Sequence, residues 1–342
     1  MVGRPFAFRA SEDRSSCDPP VEAPLRPPGN PWLIRCLDWL LAHLVVALVA
    51  LVGVGGATRV MQAGLACPDW PLCYGSFLPG RQMNLQVFLE WFHRLDAFLV
   101  GLALMVLAGV SLVRRALLPR WLPWAAGAAL LLVAVQGGLG ALTVLGLLEA
   151  STVTAHLVTA LLLVLLVSAM HQALRTSPSG SRQAAAADFA ASLPLWWTLL
   201  LGVSSLTLFG QSALGGAMAS RWASTLCLQS GDGCQWLLAH RLGAWVALAA
   251  LLLPALLAHL LPGIPARLRR FALVLALLAP LQLALGLFTL RLQLQQPLVT
   301  VAHQLMAALL VALFGALWGI TLASRSSAQV VSFSPSLEMA HG

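Results

Sequence analysis

Eight apolar runs, at roughly 33–57, 87–113, 121–146, 151–173, 194–218, 235–261, 267–289 and 297–323, leave this chain few ways to fold. Each is near the ~20 residues that a helix needs to cross the hydrocarbon of a bilayer. The composition agrees, with 59% of the 342 residues hydrophobic and 9% charged and a mean hydropathy of +0.85. Those values lie outside the range of soluble domains. The expected fold class is an all-α integral membrane protein with eight transmembrane helices and the lipid bilayer as its solvent.

Charge sets the orientation. All 20 basic residues are arginine, and the formal charge is +8. In a soluble protein that balance would suggest nucleic acid; here the arginines sit in short loops between apolar runs, so nucleic-acid binding is not expected. Eight crossings put both termini on one side. Arg114, Arg115, Arg120, Arg175, Arg182, Arg267, Arg269, Arg270 and Arg325 fall on that side, which makes it cytoplasmic. The first 32 residues, rich in proline and without apolar periodicity, read as a disordered cytoplasmic tail. Glu12, Asp13, Asp18 and Glu22 argue against a mitochondrial presequence, so a bacterial cell-membrane protein is expected.

Ionisable side chains inside such runs are costly to desolvate and mark functional sites by default. Glu90 and His93 begin the second run, three residues apart and so on one helical face. His240 opens the sixth run as His93 opens the second, and His156 and His303 lie in the fourth and eighth. Both pairs repeat at an offset of 147 residues, 93 to 240 and 156 to 303. The chain therefore reads as a tandem repeat. It divides into a tail at 1–32, a first four-helix bundle at 33–173, a linker at 174–193, a second bundle at 194–323 and a tail at 324–342. All four histidines fall about six residues in from the outer helix ends, or roughly 9 Å at the helical rise. Four imidazoles in one layer suit heme iron held between facing helices, one heme per half. His43, His171 and His259 lack a repeated partner and carry no such reading.

The odd-numbered runs repeat as well. Gly55-Gly56-Ala57 resembles Gly215-Gly216-Ala217, and Gln136, Gly140 and Thr143 match Gln282, Gly286 and Thr289. These small residues indicate either close helix contact or space for a flat ligand. Arg59, Arg94, Arg221 and Arg241 lie at the outer side, suited to heme propionates or to plain interfacial positions. Trp70, Trp91, Trp222 and Trp236 fit an outer aromatic belt. Cys67 and Cys73 bracket one outer loop and Cys227 and Cys234 another, positions on the oxidising side that favour disulfides, structural or redox-active. Neither loop offers a third ligand for zinc. Cys17 and Cys36 are expected as free thiols on the reducing side. The halves differ at one place: 147 residues after Glu90 stands Leu237, so the carboxylate exists once. That asymmetry suggests that one heme is changed and the other assists.

The loop Cys67-Pro68-Asp69-Trp70-Pro71-Leu72-Cys73, the stretch Glu90-Trp91-Phe92-His93-Arg94, the His156 and His303 helices and the duplication together resemble the heme A synthase family. The resemblance spans about residues 33–323. It implies eight helices in two pseudosymmetric four-helix bundles and conversion of heme O to heme A by oxidation of a methyl to a formyl group. It implies heme b as an electron-transfer cofactor at His240 and His303, near Arg221 and Arg241. Substrate heme O would lie at His93 and His156, near Arg59 and Arg94, with Glu90 as the catalytic carboxylate. The long isoprenoid tail of heme O predicts an opening toward lipid in the first bundle. A di-heme b-type electron carrier and a heme transporter or chaperone are the alternatives. Docking of a heme O synthase and formation of a homo-oligomer are compatible with the chain and fixed by nothing in it.

Overall fold

The computed structural model describes residues 30–176, 193–219, 227 and 234–332. Eight long helices account for nearly all of them: α1 Pro31–Val60, α2 Leu85–Val113, α3 Trp121–Leu145, α4 Ala150–Thr176, α5 Leu195–Met218, α6 Gln235–Leu260, α7 Ala266–Arg291 and α8 Pro297–Ser332. Eight helical spans, the last counted as Pro297–Ser324, are long and apolar enough to cross a membrane. The protein is a multi-pass membrane protein, and no strand occurs among the described residues. Of the expected segments, 1–29, 177–192 and 333–342 fall outside the described residues.

Local chemistry sets the helix starts. Asn30 accepts hydrogen bonds from the amides of Trp32 and Leu33, with Pro31 in the first turn. Asn84 accepts from the Val87 amide at the start of α2. The last helix runs further than the apolar run that announced it, through Ser332. Neither glycine nor proline occurs between Gly319 and Ser332 to stop it.

Contacts close the helices into two rings. In the first, α1 packs on α2, α2 on α3, α3 on α4 and α4 back on α1; in the second, α5 to α8 close in the same order. The rings join through α4 and α8, whose contact is the most extensive between any two helices. On either side of it α1 reaches α8 and α5 reaches α4, the arrangement expected of a repeat related by an axis along the membrane normal. Of the spans, α8 is the most buried and α3 the least, which leaves α3 largely to lipid.

Lipid tails are as apolar as leucine, so helices in a bilayer associate by close packing and hydrogen bonds rather than by hydrophobic burial. The central contact uses both. Gly315 and Gly319, one turn apart on α8, lie directly against the backbone carbonyls of Leu165 and Ala169 on α4. Ser168 donates a hydrogen bond to the Ala312 carbonyl at 2.6 Å. Two tryptophans pin α5 to α8: the Trp197 indole donates to Thr321 Oγ1 at 3.1 Å and that of Trp318 to Ser205 Oγ at 2.9 Å. At the end away from the histidines, Arg267 of α7 donates to Gln172 Oε1 of α4 at 2.6 Å, and His171 Nε2 lies 3.2 Å from Asp38 Oδ1 of α1.

Any side chain at Gly319 would meet backbone rather than a movable side chain. Gly319→Leu is expected to destabilise the protein by about 3 kcal/mol through overpacking. Thermal unfolding in detergent checks this, with Gly109→Leu, where an added Cβ meets nothing within 4 Å, as the tolerated control.

Candidate functional site

Each of the four repeated histidines rests against a glycine of a neighbouring helix. An added Cβ at Gly55 would lie 3.0 Å from His93 Cε1, at Gly140 3.5 Å from His156 Cε1, at Gly215 2.9 Å from His240 Cε1 and at Gly286 3.0 Å from His303 Cε1. The small residues of α1, α3, α5 and α7 therefore seat imidazoles. In the first ring His93 and His156 face each other with ring centroids 6.5 Å apart and planes at 75°. Two imidazoles bound at about 2 Å on opposite sides of one iron place their ring centres roughly 6 Å apart, so the pair fits a single axial-ligand set. The Nδ1 atoms of His93, His156 and His303 are buried without a hydrogen-bond partner among the described residues. Buried polar atoms are normally satisfied, and three orphans of one kind in one layer indicate groups shaped for a ligand.

Glutamines support the backbone of this layer. Gln136 donates to the His156 carbonyl at 3.0 Å and accepts from Thr159 Oγ1 at 2.7 Å. Gln211 donates to the His240 carbonyl at 2.8 Å and lies 3.0 Å from its Nδ1. Gln211 escaped the sequence reading because Leu51 stands at the matching place on α1, counted from the Gly-Gly pairs.

A cavity of about 870 Å³ occupies the first ring at the histidine layer. It is near the top of the ~300–1,000 Å³ range of ligand pockets. Glu90, His93, His156 and Arg59 line it. So do Phe98 of α2, 62% exposed, and the exposed Gly137 of α3. Exposed residues of α2 and α3 thus form part of the cavity wall. Thr300 and Gln304 of α8 reach the same cavity from the second ring.

The first outer loop is folded down over this cavity, with Trp70, Leu72 and Phe77 in its lining. Glu90, 4% exposed, holds it. The Cys67 amide donates to Glu90 Oε2 at 2.8 Å, and Arg94 forms an ion pair with Oε1 at 2.5 Å. Arg94 also donates to the carbonyls of Asp69 at 2.6 Å, Cys67 at 3.5 Å and Leu72. Its guanidinium is committed to the loop and to Glu90. Trp91, expected in an interfacial belt, donates to the Phe77 carbonyl at 2.7 Å and pins the loop instead. The Cys67 and Cys73 sulfurs are bonded at 1.97 Å, both residues being buried. At the loop tip, Asp69 accepts from the Tyr74 and Gly75 amides at 2.6 and 2.8 Å. Gly75 takes the left-handed conformation there, with φ +68°.

The remaining expected residues are divided. Arg59 lines the cavity at the end of α1. Arg241 follows His240 on an exposed face of α6. Arg221 and Trp222 lie outside the described residues. Cys227 and Cys234 are bonded at 1.86 Å, and Cys36 is a free, exposed thiol. Cys17 lies outside the described residues. No group of three or more metal-ligating side chains occurs among the described residues.

The family described as cytochrome oxidase assembly protein, COX15-CtaA, matches residues 38–314. The chain is 32% identical over 207 residues to a heme A synthase of Shewanella oneidensis, a match covering 56% of this chain and 59% of that protein. It is 30% identical over 330 residues to a heme A synthase of Sphingopyxis alaskensis, covering 81% of this chain and 89% of that protein. A shorter likeness, 38% over 78 residues, links it to 16% of a protoheme IX farnesyltransferase of Haloarcula marismortui.

Two outcomes are expected for the loop. Arg94→Met removes the cation beside a buried carboxylate and frees three carbonyls; the cost is about 3 kcal/mol, and amides of residues 67–76 are expected to exchange at least tenfold faster. Hydrogen exchange read by mass spectrometry checks this. Hydrogen bonding from the Gly75 amide, with that of Tyr74, holds the Asp69 carboxyl below its ordinary value. A depressed folded value stabilises the loop tip throughout the range above ~3.9 and is lost as the pH falls through it. Protection of the Tyr74 and Gly75 amides should therefore persist at pH 5 and disappear only in stronger acid, whereas Asp69→Asn should already lower it at pH 5 and show little further loss in acid.

Proposed function

Because this chain belongs to the COX15-CtaA family of cytochrome oxidase assembly proteins, we propose that it is a heme A synthase, which oxidises one methyl group of heme O to a formyl group. The observation that carries the reading is the cavity of the first ring, where a facing histidine pair and a buried carboxylate meet. Position 237, the counterpart of Glu90, is leucine, so the carboxylate beside the first histidine pair is not repeated beside the second. His93 and His156 hold the substrate through its iron, and Arg59 meets a propionate with charge-assisted hydrogen bonds. The isoprenoid tail leaves between α2 and α3 past Phe98 and Gly137 into lipid.

Glu90 is the catalytic carboxylate. Its two oxygens are oriented by the Cys67 amide and by Arg94, which leaves lone pairs open to the cavity. In that place it accepts a proton released as the methyl carbon is oxidised, or stabilises positive charge there. Arg94 is a positioning residue that fixes both Glu90 and the loop. The loop excludes water from the substrate, and the Cys67–Cys73 bond fixes its shape.

The second ring fits heme b as a cofactor. His240 and His303, each seated on a glycine, would hold it, with Arg241 of α6 toward its propionates. When bound there it supplies one-electron transfer for the oxidation in the first ring. The arginine distribution supports a bacterial cell membrane location with both termini cytoplasmic. The units 33–173 and 194–323 act as substrate half and cofactor half.

Two histidine pairs alone would equally suit a di-heme electron carrier. Neither the large first-ring cavity nor the buried Glu90 has a role in such a protein. The test is to co-express the chain with a source of heme O, extract the porphyrins and read their masses. Heme A is expected from the wild type. Glu90→Gln is expected to lower conversion at least ~100-fold, the scale of a lost general base, with the second-ring heme spectrum unchanged. Unmodified heme alone from the wild type would favour the carrier.

A further inference from the structure

The cavity of the first ring contains a side chain from the second. Gln304 follows His303 on α8, and successive residues on a helix point about 100° apart. While His303 rests on Gly286 in its own ring, Gln304 crosses to the other and lines the first-ring cavity. Gly56 of α1 makes the passage. An added Cβ there would lie 2.8 Å from Gln304 Oε1 and 2.9 Å from its Cδ, so the amide occupies the space that glycine leaves.

The repeat makes this crossing twice, with different chemistry. Gly216 is the counterpart of Gly56, and there an added Cβ would meet Leu157 Cδ2 at 3.2 Å. Leu157 stands 147 residues before Gln304. At the matching place the first ring carries a leucine where the second carries an amide, and both side chains line the first-ring cavity. Of the two only Gln304 brings polar groups to the cavity that also holds the unrepeated Glu90. Among the described residues no protein group hydrogen-bonds the Gln304 amide or the guanidinium of Arg59, and both line the cavity. Arg59 is three residues beyond Gly56 and rises from the same face of α1. A guanidinium and a primary amide both offer N–H donors, and a carboxylate accepts from both.

We propose that Gln304 and Arg59, one from each ring, together bind a propionate carboxylate of the substrate porphyrin in the first-ring cavity. This deepens the heme A synthase reading and rests on it. The subsite anchors the polar edge of the substrate where the rings meet, beside the residue that follows His303. It also fixes the rotation of the porphyrin about its iron axis, which the two histidines alone leave free, and so decides which methyl group faces Glu90.

The experiment titrates the full chain in lipid nanodiscs with heme O and with its propionate dimethyl ester, following the visible absorbance. Wild-type protein is expected to bind the free acid at least ~tenfold more tightly than the diester, the scale of charge-assisted hydrogen bonds. Gln304→Leu, which installs the residue of the pseudosymmetric position, should lose most of that preference while its affinity for the diester stays the same. Gln304→Glu should weaken the free acid further and leave the diester nearly unaffected. An unchanged second-ring heme spectrum verifies the fold, and Gln304→Glu carries the test if the leucine variant loses that spectrum. Equal losses for both ligands, or none for either, overturn the propionate contact in favour of a structural role or a contact to the tail. Wild-type protein that binds no heme O overturns the synthase reading itself, and the proposal with it.

Discussion

Close backbone approach between α4 and α8 is the constraint on which the rest depends. In hydrocarbon there is no gain from burying one apolar face against another, so two four-helix rings need a specific reason to stay together. Glycines at 315 and 319 let α8 come into direct contact with the carbonyls of Leu165 and Ala169, and Ser168 adds a hydrogen bond across the contact. The same two helices bear His156 and His303. The spacing of the rings and the relation between the two histidine pairs are therefore set by one interface.

Glycine serves a second purpose a few turns away. Four imidazoles have room because four glycines face them, one on each odd-numbered helix. Without a Cβ the neighbouring helix approaches closely enough to restrict the ring and remains apolar. Three of the imidazoles keep an unpartnered buried nitrogen as a result. Such nitrogens are costly in a membrane unless a ligand satisfies them.

Duplication supplies a symmetric frame, and function enters where the frame is broken. Glu90 faces Leu237 across the repeat, and Gln304 faces Leu157. Both polar members serve the first-ring cavity. Glu90 also ties the outer loop to α2, through the Cys67 amide directly and through Arg94 to three loop carbonyls. One carboxylate thus couples the cover of the cavity to its interior, and the residue that breaks the repeat is also the one that closes the cavity.

Much of this was legible in the sequence. The eight helices follow from the length of the apolar runs, because a bilayer admits no other backbone solution for them. The pairing of the histidines follows from an offset of 147 residues, and the uniqueness of Glu90 from its absence at 237. These are properties of order along the chain. The sequence left the glycines undecided between helix contact and ligand space, left Arg94 between a heme propionate and an interfacial position, and placed Trp91 in an outer aromatic belt. Only the packing shows that the glycines seat imidazoles, that Arg94 and Trp91 are turned onto the loop, and that Gln304 crosses between rings. Those outcomes depend on rotation about each helix axis and on which helices become neighbours. Both are settled by contacts among residues distant in the chain, which one-dimensional spacing does not encode.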